Sequence, residues 1–172
     1  TSDIPKIPTL KPAFRKNGTV TAANSSSISD GASSVILMLE SEAQKRGIKP
    51  LARIIDHSTN SQEPKWFTTA PIGAIEKVLE KSGWKKTDVD LFEVNEAFAV
   101  VPMAVMKDLG ISNDILNIYG GACALGHPVG AAGTRIVTTL INALKKNNLK
   151  KGVASLCIGG GEATALTLEI IN

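Results

Sequence analysis

A chain of 172 residues is long enough for one domain with a substantial core, and 43% apolar and 20% charged residues are ordinary for a globular protein. Aromatic residues make up only 4%, so Ala, Val, Ile and Leu must build that core. A net charge of +3 is too small to point to nucleic acid, and no stretch reaches the roughly 18 apolar residues of a membrane helix.

Residues 1–24 carry Pro5, Pro8 and Pro12 and read as an arm, not a helix; the domain proper spans 25–172. Residues 32–39 (ASSVILML) form a short apolar run without alternation, expected as a strand buried on both faces. A helix start after Asp30 is the alternative. Residues 40–46 read as a helix stopped by Gly47, and residues 51–56 as a second strand. Pro71 in a first turn and the stripe Ile72, Ile75, Val78 and Leu79 predict a helix over 71–82, ended by Gly83.

Residues 89–94 (VDLFEV) are a third strand leading into Asn95, followed by a helix over 97–109 that is irregular at Pro102. Residues 116–119 are extended, and a loop rich in Gly and Pro runs over 120–133. The apolar helix expected over 134–144 reads as buried all round. A fourth strand over 153–158, a glycine turn over 159–161 and an antiparallel fifth strand over 163–171 complete the chain. This order predicts an α/β layered domain with a mixed five-stranded sheet.

Three loops that follow strands could assemble a site at one sheet edge. They hold Asn95–Glu96–Ala97–Phe98, the stretch 120–133 (GGACALGHPVGAAG), and Cys157 with Gly159, Gly160 and Gly161. His127 can exchange protons near neutral pH, or simply occupy a loop at a helix start. Cys157 is either an inert buried thiol or, beside glycines with free N–H groups, part of an oxyanion site. Asn95 and Glu96 equally suit a helix cap. His57 has no assigned role. Cys123 and Cys157 stand 34 residues apart, with no Cys-x-x-Cys and two histidines in all, so no metal site is expected. No phosphate-loop or dinucleotide pattern is present. A reduced, cytoplasmic protein is the default expectation, and the start at Thr1 instead of Met suggests a processed, truncated or expressed piece.

NEAF, GGxxALGHPxGAAG and CIGGGEATA, in this order and spacing, together with KPAFRKNGTVTAANSSSISDG upstream, resemble the thiolase family over essentially the whole chain. The resemblance implies the second of two similar α-β-α halves, with the tail of a loop domain at its start. It implies acyl transfer between CoA thioesters through an acyl-cysteine, with the nucleophilic cysteine in a first half that is absent here. By resemblance His127 would activate that cysteine and help bind the thioester oxygen, Cys157 would move the proton at the acetyl α-carbon or at the leaving thiolate, and Asn95 would hold a water that, with His127, forms one oxyanion hole. The Gly159 N–H would serve the other hole, and Phe14, Ala22, Ser26, Ala97 and Phe98 would line the path of coenzyme A. Phe67 would lie near the acyl pocket, and Cys123 is read as structural.

No permanently bound cofactor is implied; coenzyme A and acetyl-CoA are substrates. A homodimer or homotetramer is implied, with no nucleic-acid or membrane partner. The family commonly has glycine at Ala23 and Ser27 and asparagine at Ser29, so contacts to coenzyme A and chain-length preference are less constrained than the reaction. Two other expectations stand beside this one: an isolated, non-catalytic module that binds coenzyme A or a partner, and a condensing synthase of the same fold. The synthases typically carry histidine where Cys157 stands.

Overall fold

Alternation along the strands decides which side chains face which helix. Residues 3–171 are described here from a computed structural model. The strands are β1 (Ala52–Ser61), β2 (Leu91–Val94), β3 (Lys151–Ile158) and β4 (Glu162–Ile170). The sheet order is β1-β4-β3-β2; β2 and β3 run parallel, and the other two pairings are antiparallel. The helices are α1 (Glu40–Lys45), α2 (Ala70–Ser82), α3 (Val100–Leu109), α4 (Ala122–Leu125) and α5 (Ala132–Lys146).

Side chains of successive strand residues point to opposite faces. Phe92, Val94, Val153, Ala163 and Ala165 therefore pack with Ile75 and Val78 of α2 and Val101 and Val105 of α3. Leu91, Ala154, Leu168 and Ile170 pack on the other face with Ile136, Leu140, Ala143 and Leu144 of α5. The result is an α-β-α layered domain with a mixed sheet, as the strand and helix order predicts. Gly83 ends α2 in the left-handed region at φ 67°, where glycine carries no Cβ penalty.

Residues 32–39 are the main departure: they form no strand, and the sheet has four strands instead of five. Ile36 and Leu39 are 88% and 76% exposed. Apolar composition marked this run for burial, but a strand also needs a neighbour for its N–H and C=O groups, and none pairs with it among the described residues. The helix expected over 134–144 is longer and one-sided: Thr138, Asn142 and Lys145 face solvent opposite Ile136 and Leu140. The helix expected from residue 97 begins at Val100, because residues 95–98 bond instead to the sheet edge and the N-terminal segment. Residues 116–119 turn back after a single bridge from Leu116 to Phe92. The N-terminal arm contains a 3-10 helix, Ile4–Thr9, despite Pro8.

Chemical denaturation separates the two kinds of apolar residue. Phe92→Ala is expected to cost about 3–5 kcal/mol, because a fully buried ring leaves a cavity. Ile36→Lys is expected to change stability by less than about 0.5 kcal/mol. A large loss from Ile36→Lys would contradict this fold.

Candidate functional site

Parallel pairing puts the carboxyl ends of β2 and β3 side by side. Val94 registers with Ser155, and the Asn95 N–H donates to the Ser155 carbonyl at 2.9 Å. Asn95 therefore leaves β2 at the edge where β3 ends in Cys157 and Ile158. Its side chain is almost fully buried, 1% exposed.

His127 reaches the same edge by a different route. Gly126, at φ 94°, turns the chain out of α4 in a backbone conformation that side chains disfavour. A Cβ there would also meet the Ser29 hydroxyl. The His127 N–H then donates to the Ser27 carbonyl at 2.8 Å, and a parallel bridge joins Ile28 to His127. Asn95 Nδ2 and His127 Nε2 lie 3.4 Å apart. The other ring nitrogen, Nδ1, is buried without a partner. Burial, and secondarily the positive Arg135, hold the imidazole below its ordinary pKa, so the neutral ring is favoured.

Arg135 and Glu93 complete this polar group. Arg135 Nη2 donates to Asn95 Oδ1 at 3.1 Å, while its Nη1 lies 3.9 Å from Glu93 Oε2. Burial pushes the Glu93 carboxyl up to about 7, with Arg135 opposing the rise. Neither residue stood out in the sequence as a site residue. The available signals were a glutamate inside an apolar strand, two positions before Asn95, and an arginine in the first turn of an apolar helix.

Cys157 is buried and faces α2 and α3, and burial pushes its thiol up to about 11. It makes no hydrogen bond to Asn95 or His127 among the described residues. Gly159 lies in the exposed turn between β3 and β4, with open space where a side chain would project. Glu96 is a tie and not a helix cap. Its carboxylate accepts from the Asn117 side chain at 3.0 Å and from the Cys123 N–H at 3.0 Å, anchoring the loop that carries His127. Burial and the Glu96 carboxylate push the Cys123 thiol up to about 11, which suits an unreactive role.

The other expected residues form a second, contiguous patch. Ser26 donates to the Ala97 carbonyl from both its N–H (3.2 Å) and its hydroxyl (2.9 Å). Phe98 meets Phe14 edge-on at 5.6 Å and Phe67 at 6.3 Å between ring centroids. Ala22 opens a short 3-10 turn, Ala22–Asn24, whose Asn24 carbonyl accepts from the Ala99 N–H. A hollow of about 490 Å³ beside Glu96, Met103 and Cys123 includes none of Asn95, His127 and Cys157. Among the described residues no group of three or more His, Cys, Asp or Glu is placed to hold a metal ion, and no helix is long and apolar enough to cross a membrane.

In sequence and in fold the chain resembles known proteins. Residues 48–170 match the family model "Thiolase, C-terminal domain", and residues 2–41 match "Thiolase, N-terminal domain". The chain belongs to the thiolase family. A relative from Dictyostelium discoideum named "Probable acetyl-CoA acetyltransferase" is 58% identical over 95% of this chain and 40% of its own length. The acetyl-CoA acetyltransferase of Bacillus anthracis superposes with a TM-score of 0.96 at 46% identity, covering 99% of this chain and 44% of that one. The Acat5 thiolase of Ascaris suum, solved in complex with coenzyme A, gives 0.88 at 42% identity, covering 97% and 44%. The chain thus spans about two fifths of the length of the relatives it matches.

The Glu93 proton has a consequence for stability. Its pKa is raised from 4.5 to about 7 in the folded chain, so the folded state binds this proton more tightly than the unfolded state. The associated stability is present below pH 4.5 and is lost as pH rises to about 7. Urea unfolding of the original chain and Glu93→Gln across this window is expected to show the original losing stability relative to the variant. A pH-independent difference would contradict the assignment.

Proposed function

We propose that this chain is the C-terminal part of an acetyl-CoA C-acetyltransferase, which interconverts two acetyl-CoA with acetoacetyl-CoA and coenzyme A, or cleaves a longer 3-ketoacyl-CoA. The observation that carries this reading is the Asn95–His127 pair, 3.4 Å apart at the carboxyl edge of β2 and β3. The acetyltransferase names of close relatives support it.

On this reading, a cysteine of the N-terminal half attacks the thioester carbonyl of acetyl-CoA. His127 takes the thiol proton, and Cys157 gives its own proton to the departing sulfur, so coenzyme A leaves as its thiol and Cys157 is left as thiolate. Cys157, as thiolate, then removes an α-proton from a second acetyl-CoA. The enolate oxygen is met by His127 and a water held by Asn95, and the enolate carbon attacks the acyl-cysteine. The oxyanion formed there is met by the Gly159 N–H, and collapse expels the cysteine thiolate. Preorganised donors matter because an α-proton of a thioester is only weakly acidic and its enolate must be stabilised as it forms.

Phe14, Ala22, Ser26, Ala97 and Phe98 would line the path of coenzyme A, which the contiguity of this patch supports. Coenzyme A is substrate here, with no permanently bound cofactor. Residues 1–24 would be an arm and 25–172 the domain, in which Ser26 bonds to Ala97 and Ser27 to His127. The exposed run Ile36 to Leu39 lies within the stretch matching the N-terminal family model, which supports its being covered by that half. The two free thiols support a reducing, cytoplasmic setting. Assembly as a homodimer or homotetramer is part of the same proposal, with no nucleic-acid or membrane partner.

The non-catalytic reading applies to the chain by itself. On this reading the nucleophilic cysteine belongs to the N-terminal half, and burial pushes the Cys157 thiol up to about 11. The purified 172-residue chain is therefore expected to show no cleavage of acetoacetyl-CoA. In the full-length protein, Cys157→Ala or His127→Ala is expected to lower turnover by roughly 10²- to 10⁴-fold with the fold intact. Turnover by the chain alone, or near-normal activity of either variant, would overturn the assignment.

A further inference from the structure

We propose that Arg135 is the positioning residue of the Asn95–His127 pair: its guanidinium selects which end of the Asn95 carboxamide faces the imidazole. The inference deepens the acyltransferase reading and rests on it for its functional meaning, but its geometry stands without it.

Strand parity puts three side chains on one side of the sheet. Leu91 faces α5, so Glu93 and, one step beyond the strand, Asn95 follow on the same side. Arg135 rises from the first turn of α5 between them. Its Nη2 donates to Asn95 at 3.1 Å, and its Nη1 is directed toward Glu93 at 3.9 Å, without a hydrogen-bond partner of its own.

A carboxamide has two ends of nearly equal size, one donor and one acceptor. Left to packing alone, a buried asparagine could sit either way round. A guanidinium has five N–H donors and no acceptor, so only an oxygen can face it. Arg135 thereby assigns Oδ1 to its own side and turns Nδ2 toward His127 Nε2. If the amide flipped, Arg135 would confront an NH₂ group, and the edge would lose the donor that faces His127.

Arg135 also places a positive charge beside the imidazole. Among the described residues His127 meets Asn95 from the end of β2 and Ser27 and Ile28 from the N-terminal segment, all uncharged, and the charge that acts on its ring is that of Arg135 from α5. It helps keep the ring neutral, as a proton acceptor must be. Glu93, 2% exposed, is the acidic group set against the guanidinium, and in its ionised form it offsets the buried positive charge.

A purely structural arginine, present only to neutralise Glu93, would be replaceable by lysine without any change at Asn95. Lysine keeps the charge but lacks the planar fork that spans both partners. The two roles are separated by two NMR readouts on the 172-residue chain: the Asn95 carboxamide resonances and the titration of the His127 ring. Neither depends on turnover, so failure here is distinct from failure of the enzymatic reading.

Arg135→Lys is expected to shift and broaden the Asn95 carboxamide pair while the His127 midpoint stays below 6.5. Arg135→Gln is expected to raise that midpoint. Unchanged Asn95 resonances in a folded Arg135→Lys variant, or an unchanged His127 midpoint in Arg135→Gln, would overturn the proposal. If Arg135→Gln does not fold, the double variant Glu93→Gln/Arg135→Gln removes both members of the buried pair, and the same two outcomes decide.

Discussion

The parallel pairing of β2 with β3 is the constraint on which the rest of this molecule depends. It makes both strands end at one edge, and the backbone bond from Asn95 to Ser155 extends the pairing one residue past β2. An antiparallel arrangement would send Asn95 and Cys157 to opposite ends of the sheet. Parallel neighbours also require a long connection, and here that connection is used. It contains α3, the turn after Leu116, α4, the His127 loop and α5. The chain between the two strands thus carries the histidine back to the edge that the strands define.

Polar groups are tolerated at this edge because each is tied to another. Glu96 anchors the His127 loop through Asn117 and the Cys123 N–H. Asn95 is held between Arg135 and His127. Glu93 sits under Arg135 in a setting that disfavours its charge. Such groups are costly to bury, and a buried network retains its value only while its members stay paired. Among the described residues the two exceptions, His127 Nδ1 and Arg135 Nη1, both belong to this one group. Unsatisfied donors and acceptors concentrated in one place fit a site more readily than a packing core.

The sequence carried the architecture well where local pattern and tertiary role agree. The stripe Ile72, Ile75, Val78 and Leu79 with Gly83 after it gave α2 almost to the residue, and the alternation after Gly161 gave β4 and its antiparallel sense. It misled at residues 32–39, where apolar composition reports a need for burial but not the identity of the cover. The same limit applies to α5, whose apolar length hid an exposed face of Thr138 and Asn142. At the site, motif spacing identified Asn95 and His127, and the fold brings them together. Arg135 and Glu93 were missed because their meaning is relational: each is an ordinary charged residue until strand parity and helix placement put them against Asn95.

The central claim is that this chain by itself assembles the amide–imidazole pair at the edge of its sheet. The most direct measurement is the nuclear Overhauser contact between the Asn95 carboxamide protons and the His127 ring protons in the isotopically labelled 172-residue chain. A clear cross-peak is expected from nitrogens 3.4 Å apart. A folded chain with dispersed spectra and no contact between these two side chains would contradict it.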